Sequence, residues 1–205
     1  KKTNTPLVFF DRAYNNFPAD AVTINDFKGA FIATTHLIEQ GYRKIAHISG
    51  PVHIDIFKAR VEGYKEALHK AGIKFNPALV YEGDISIEAG KKAIRYFFSG
   101  KNRPDAAFAV EDFTALGAVK ALKELKIDIP SQFGIIGFAN ENFGEHITPS
   151  LSTIDQQTVK MGEEAFALML NLIENKGVKK RATHKIVLDP IAVFRESSNK
   201  KRNAL

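Results

Sequence analysis

Two hydrophobic periods take turns along this 205-residue chain, and that alternation constrains the fold more than any single motif. Short apolar runs of strand length are followed by stretches whose apolar residues recur at i, i+3, i+4 and i+7, the mark of one helix face. "AVTIN" reads as a strand. Phe27, Ala30, Phe31, Thr34 and Ile38 then trace a helix that Gly41 stops in the position after its C-cap. "KIAHISG" is a buried strand, and Phe57, Val61, Tyr64, Leu68 and Ala71 make the next helical stripe, closed by Gly72. "ALVYEGD", a helix marked by Gly90, Ala93, Ile94 and Phe97, and "AAFAVE" follow. Asp112 is placed to N-cap a helix carrying Ala115, Ala118, Val119 and Leu122. "FGIIGFAN" is a strand, and a long helix carries Gly162, Ala165, Phe166, Met169 and Ile173. "HKIVLDPIAVF" is extended, with Pro190 marking a bulge or an edge.

Repeated strand–helix–strand units with short connections make successive strands parallel, and these strands are too apolar to face water on either side. The expected class is α/β, an open, doubly wound parallel sheet with helices on both faces. Ligands of such sheets bind beyond the carboxyl ends of the strands. Polar groups gather at those ends: Asp11–Arg12, Ser49–Gly50, Asp84, Glu111–Asp112 and Asn140 are expected along one sheet edge. Arg60, expected where the next helix starts, points to the same edge. Each has a plain structural alternative: Asp84 and Asp112 as helix caps, Arg60 in a surface ion pair, Asn140 closing a turn. Their convergence suits a small polar ligand, which needs several donors and acceptors in an otherwise apolar cleft.

Composition narrows the chemistry. No cysteine is present, so disulfides, thiolate metal sites and cysteine nucleophiles are excluded. No run approaches the ~18 apolar residues of a membrane span. The net charge of +6 is uneven: residues 176–205 carry +7 and residues 1–175 carry −1. The excess lies in "NKGVKKRATHK" and in the tail "ESSNKKRNAL", which fits a solvated loop and a disordered tail rather than a nucleic-acid groove. Neither phosphate-cradling glycine loop occurs, and no G-x-S-x-G elbow. The six histidines lack metal-ligand spacing, and His36 and His47 read as helix and strand residues near the core. An acid–base pair of Glu111 with Asp112 is the remaining catalytic option, weakened because adjacent side chains at a strand end point apart. The expectation is no enzyme, no cofactor and no metal.

"PLVFFDR", "HLIEQGYRKIAHISGP", "ARVEGYKEAL", "PDAAFAVEDFTALGAVKALKE", "IPSQFGIIGFANE", "TPSLSTIDQQTVKMGEEAFALML" and "VFRESS" stand in the order and spacing of LacI-type transcriptional regulators, which this chain resembles from Pro6 to about Ser198. The resemblance implies a periplasmic-binding-protein-like (type I) core of two lobes, with a small effector, a sugar or derivative, bound between them. It implies operator DNA contacted through a headpiece absent from this chain, a homodimer in the cytoplasm, and no membrane partner. Residues 1–25 would be the last part of the N-lobe, 26–153 the C-lobe, 154–182 an N-lobe helix, 183–198 a closing C-lobe strand and 199–205 a disordered basic tail. Arg60 matches an arginine that holds ligand hydroxyls or carboxylates, a role suited to its rigid paired donors. Asp11 and Arg12 would face the cleft from the N-lobe side, and Gln156, in "TIDQ", would line it near the lobe crossing. Ile85 replaces a common stacking aromatic, Glu111 replaces a common Asn, and Ala139, before Asn140, replaces a common Asp. These departures suggest a differently decorated ligand. The alternative at this point is a periplasmic sugar-binding protein of an uptake system.

Overall fold

The computed structural model describes residues 5–13, 17–100, 103–175 and 182–200. The chain divides into two compact units, one of residues 1–25 and 156–190, the other of residues 26–155 and 191–205.

The first unit holds β1 (Val8–Phe10), β2 (Asp20–Ile24), α5 (Thr158–Glu174) and β8 (Lys185–Leu188). Its sheet is parallel, in the order β1-β2-β8. α5 packs on β1 and β2 through a face centred on Met161 and Leu168. The stripe expected from periodicity lies elsewhere on the helix: Phe166 and Ile173 are exposed. α5 is apolar on both sides, so spacing alone could not select the buried one.

The second unit is built on a parallel sheet in the order β4-β3-β5-β6: β4 (Val80–Glu82), β3 (Ile45–Ser49), β5 (Ala106–Ala109) and β6 (Gly134–Ile136). β7 (Thr153–Asp155) runs parallel beside the end of β6 and pairs antiparallel with β9 (Ile191–Val193). Strand residues alternate between two cores, as the period of two requires. Ala46, Ile48, Ala107, Ala109 and Ile135 bury against α3 (Ile87–Ser99) and α4 (Asp112–Glu124). His47 and Phe108, pointing the other way, stack face to face on the side of α1 (Asp26–Glu39) and α2 (Asp55–Lys70), where Tyr64 joins them. Burying one such aromatic contributes about 1.5–3 kcal/mol. Helices α3 and α4 touch backbone to backbone: a Cβ on Gly117 would stand 1.9 Å from the Ile87 carbonyl oxygen, and one on Gly90 would stand 2.0 Å from that of Thr114.

Three expectations about elements are corrected. The buried face of α1 is Ala30, Ala33, Thr34 and Leu37, and Phe27 is exposed. Small residues win that face because the helix lies close to its neighbours; a Cβ on Gly29 would meet the Phe138 ring at 2.6 Å. Residues 183–198 are not one closing strand: β8 pairs with β2 in the first unit, while β9 pairs with β7 in the second. Pro190, with no N–H to give a ladder, separates them. The expected single sheet edge is two edges, because Asp11 and Arg12 follow a strand of the first unit's sheet. Most of the basic loop and residues 201–205 lie outside the described residues. Asn199 and Lys200, assigned to the disordered tail, are described, with the Lys200 ammonium 4.8 Å from the Tyr42 ring centre.

Candidate functional site

Within the second unit, the carboxyl ends of β3, β4, β5, β6 and β7 form a rim. Ser49–Gly50, Gly83–Asp84, Val110–Glu111 and Ala139–Asn140 follow four of those strands, and Asp155 ends the fifth. A depression of about 650 Å³ opens beside β4, lined by residues that include Pro51, Glu82, Asp84, Ser86, Glu88 and Lys92. Its loop is pinned where the Val52 N–H donates to Glu82 Oε1. Ile85, between β4 and α3, is more than one-third exposed.

Arg60 does not start its helix. α2 begins at Asp55, which sets Arg60 in the second turn, only 3% exposed. Its Nε and one terminal nitrogen donate to Asp26 Oδ1 at 2.8 and 2.7 Å, and the other terminal nitrogen donates to the Val110 carbonyl at 2.5 Å. The guanidinium lies 3.6 Å from the centre of the Phe138 ring. This buried charge is therefore paired and stacked, as a charge out of water must be. Asp26 is the partner that sequence reading missed. Its signal was there: an acid at the first position of a helix, directly after a strand end.

Glu111 caps α4, a role expected of Asp112: its carboxylate accepts from the N–H groups of Phe113 and Thr114 at 2.8 and 2.5 Å, and from the Thr114 hydroxyl. Asp112, the first helical residue, is fully buried, with Oδ1 accepting from the Thr153 hydroxyl and Oδ2 from the Glu141 N–H, both at 2.8 Å. Burial raises its pKa to about 6; the two hydrogen bonds oppose that shift, and the charges of Glu111 and Glu141 add to it. The two acids thus serve different partners and do not form a shared acid–base pair. Ser86, not Asp84, caps α3, accepting from the Ala89 N–H.

Asn140 joins two charges. Its Nδ2 donates to Asp155 Oδ2 at 3.1 Å, and its Oδ1 accepts from Arg195 at 3.0 Å. The backbone here is strained, with Ala139 at φ +118° and Asn140 at φ +58°. Non-glycine residues at positive φ are uncommon and tend to mark functional segments. Asp155, Thr153 and Arg195 were not singled out from sequence, because their neighbours at the rim come from stretches up to 55 residues away.

Four expected residues lie in the second unit: Ile85 after β4, Glu111 after β5, Asn140 after β6, and Arg60 on α2, bonded to the Val110 carbonyl. The other three expected residues belong to the first unit. Asp11 has φ +61° and donates its N–H to the Val22 carbonyl; Arg12 Nε lies 3.7 Å from Asp11 Oδ2, with both side chains exposed. Gln156 is half-buried, next to Gln157, whose φ of +54° starts α5 and whose Nε2 donates to the Asp189 carbonyl. Among the described residues no cluster of three or more histidine or acidic side chains is arranged to hold a metal ion. No helix among them is long and apolar enough to cross a membrane.

The family model of the periplasmic binding protein-like domain matches residues 34–198. The ribose operon repressor of Haemophilus influenzae is 33% identical over 192 residues, covering 94% of this chain and 57% of that protein. The HTH-type transcriptional repressor PurR of Actinobacillus pleuropneumoniae is 34% identical over 172 residues, covering 84% and 51%. This chain spans between half and three-fifths of the length of these relatives. Among solved structures, the transcriptional regulator CelR in complex with cellobiose superposes with a TM-score of 0.86 at 30% identity, covering 93% of this chain and 58% of that one. A LacI-family regulator of Enterococcus faecium with bound ribose gives 0.85 at 27%, covering 94% and 70%. The chain belongs to the periplasmic binding protein-like domain family and is homologous to the ribose and purine repressors and other LacI-family regulators.

Proposed function

We propose that this chain is the effector-sensing part of a LacI-type DNA-binding regulator, and that a sugar or related small metabolite is received at the strand-end rim of the second unit. The observation that carries this reading is the placing of Ile85, Glu111 and Asn140 after strands of one parallel sheet, with Arg60 of α2 bonded to the Val110 carbonyl beside them, and with the strained backbone at Ala139 and Asn140. Relatives solved with cellobiose and with ribose support the ligand class. The repressor names of the relatives favour a cytoplasmic regulator over a periplasmic uptake protein, and over an enzyme. The working form in this reading is a homodimer contacting operator DNA through a separate headpiece.

A ligand acts on such a switch only through its differential affinity for two states, and coupling between sites is typically about 1–3 kcal/mol. The test is a thermal-shift screen of neutral sugars and related metabolites on the intact regulator, followed by operator-binding titrations with any hit. A ligand at 100 times its Kd adds roughly 2.7 kcal/mol of apparent stability, which is a shift of several degrees. A hit that also changes operator affinity 5- to 150-fold supports the reading. A hit that leaves operator affinity unchanged, or no hit from the panel, contradicts it.

A further inference from the structure

The acids at the depression beside β4 are a cluster with no second sign of a ligand, and the exposed apolar side of α5 has nothing to identify what covers it. Asp112 is different, because it is a fully buried carboxylate whose two oxygens hold two separate pieces of the rim.

We propose that Asp112 is the positioning residue of the effector rim: from the start of α4 it clamps β7 and the 139–141 turn together, and so sets where Asn140 stands. This rests on the rim being the effector site, as proposed above. Three bonds make the clamp. Asp112 Oδ1 accepts from the Thr153 hydroxyl, Asp112 Oδ2 accepts from the Glu141 N–H, and Thr153 Oγ1 accepts from the Asn140 N–H at 3.1 Å. The two backbone amides bracketing the Asn140 side chain are thereby fixed to one carboxylate, directly and through one hydroxyl. Gly137 leaves the room: a Cβ there would stand 2.1 Å from Asp112 Oδ1. The turn so held contains the strained residues Ala139 and Asn140, a conformation that persists only when the surroundings over-determine it.

The clamp carries a charge, and the groups around it are mostly acidic. Glu111 precedes Asp112 on its own element, Glu141 lies on the turn, and Asp155 ends β7; Arg195 reaches the turn through Asn140, and Arg60 holds the Val110 carbonyl two residues before Asp112. A hydrogen bond to an ionised acceptor is roughly twice as strong as a neutral one. Protonating Asp112 therefore loosens the Glu141 N–H bond, and the amides of Asn140 and Glu141 report it.

The experiment is a pH titration of this chain by ¹H–¹⁵N NMR, with amide hydrogen exchange, on the wild type, Asp112→Asn and Asp112→Ala. No effector is needed, so failure here is separate from failure of the effector reading, which the sugar screen decides. The Asn140 and Glu141 amides should titrate together above the ordinary carboxylate range in the wild type, lose that inflection in Asp112→Asn, and exchange at least tenfold faster in Asp112→Ala. An inflection that persists in Asp112→Asn, the absence of any inflection in the wild type, or unchanged exchange in Asp112→Ala overturns the proposal. If Asp112→Ala does not fold, the comparison of wild type with Asp112→Asn still decides.

Discussion

The two units cover their sheets to different degrees. In the second, β3 and β5 each have strands on both sides, α1 and α2 cover one face, and α3 and α4 cover the other; aromatic residues such as Tyr64, Phe108, Phe133 and Phe138 are fully buried. Among the described residues of the first, only β2 has neighbours on both sides. Phe10 is 63% exposed, Phe166 64% and Val159 75%, and Leu7, Phe17, Leu170, Ile173 and Val187 are exposed as well. A sheet covered by helices on both faces can hold polar groups rigidly at its strand ends. One with open edges and bare apolar side chains is a surface for pairing or association. The rim residues that share hydrogen bonds all belong to the covered unit.

The contrast can be broken most forcefully at Arg60. Asp26→Ala leaves a buried guanidinium without its carboxylate, which is expected to cost about 3–5 kcal/mol in urea unfolding. A loss below 1 kcal/mol would mean that Arg60 is held less tightly than its contacts imply. Next comes acid. His36, buried and hydrogen-bonded to Ser198, and His47, buried against Phe108, both have pKa values lowered to about 4, chiefly by desolvation. Groups with lowered folded-state pKa stabilise the neutral form, so their contribution is complete above about 6.5 and is lost as pH falls toward 4, by up to about 3 kcal/mol each. Asp112 has the opposite sign: its raised pKa favours the fold as pH drops below about 6. Unfolding free energies at pH 7 and pH 4.5 should therefore fall in the wild type, and fall further in Asp112→Asn, which lacks the offsetting gain. An equal acid loss in both proteins would contradict the assignment.

Gly117→Ala should cost about 1–3 kcal/mol, because the new methyl meets the Ile87 carbonyl and must part α3 from α4. A change within 0.5 kcal/mol would show that this helix contact yields easily. The smallest effect belongs to the first unit. Phe166→Ser, on the exposed side of α5, should alter stability by no more than about 0.5 kcal/mol while lowering self-association of the 205-residue chain in sedimentation velocity. A chain that is strictly monomeric at high concentration before the substitution would remove the reason for the contrast.

Most of the element order was legible, since strand and helix periods differ and Gly41 and Gly72 end α1 and α2 at φ +96° and +69°. Pairing was not, because alternation tells which segments are strands and not which strands meet; the split of 183–198 between two sheets follows from that. Glu111 and Asn140 were readable as strand-end residues, and Arg60 as a helix residue near the same edge, though not its place in the second turn of α2. The partners of Arg60 and Asn140 were not, since Asp26, Arg195 and Asp155 reach them through the fold from 34, 55 and 15 residues away. The apolar faces of α1 and α5 show the same limit: where a helix is apolar on two sides, period alone does not choose.

The claim that matters most is that effector affinity resides at the second unit's rim. Asn140 is half-buried and outside the apolar core, so Asn140→Ala tests it without dismantling the fold. Isothermal titration of the intact regulator with a sugar found in the screen should show at least tenfold weaker binding by Asn140→Ala than by the wild type. Equal affinity in the two proteins would contradict it.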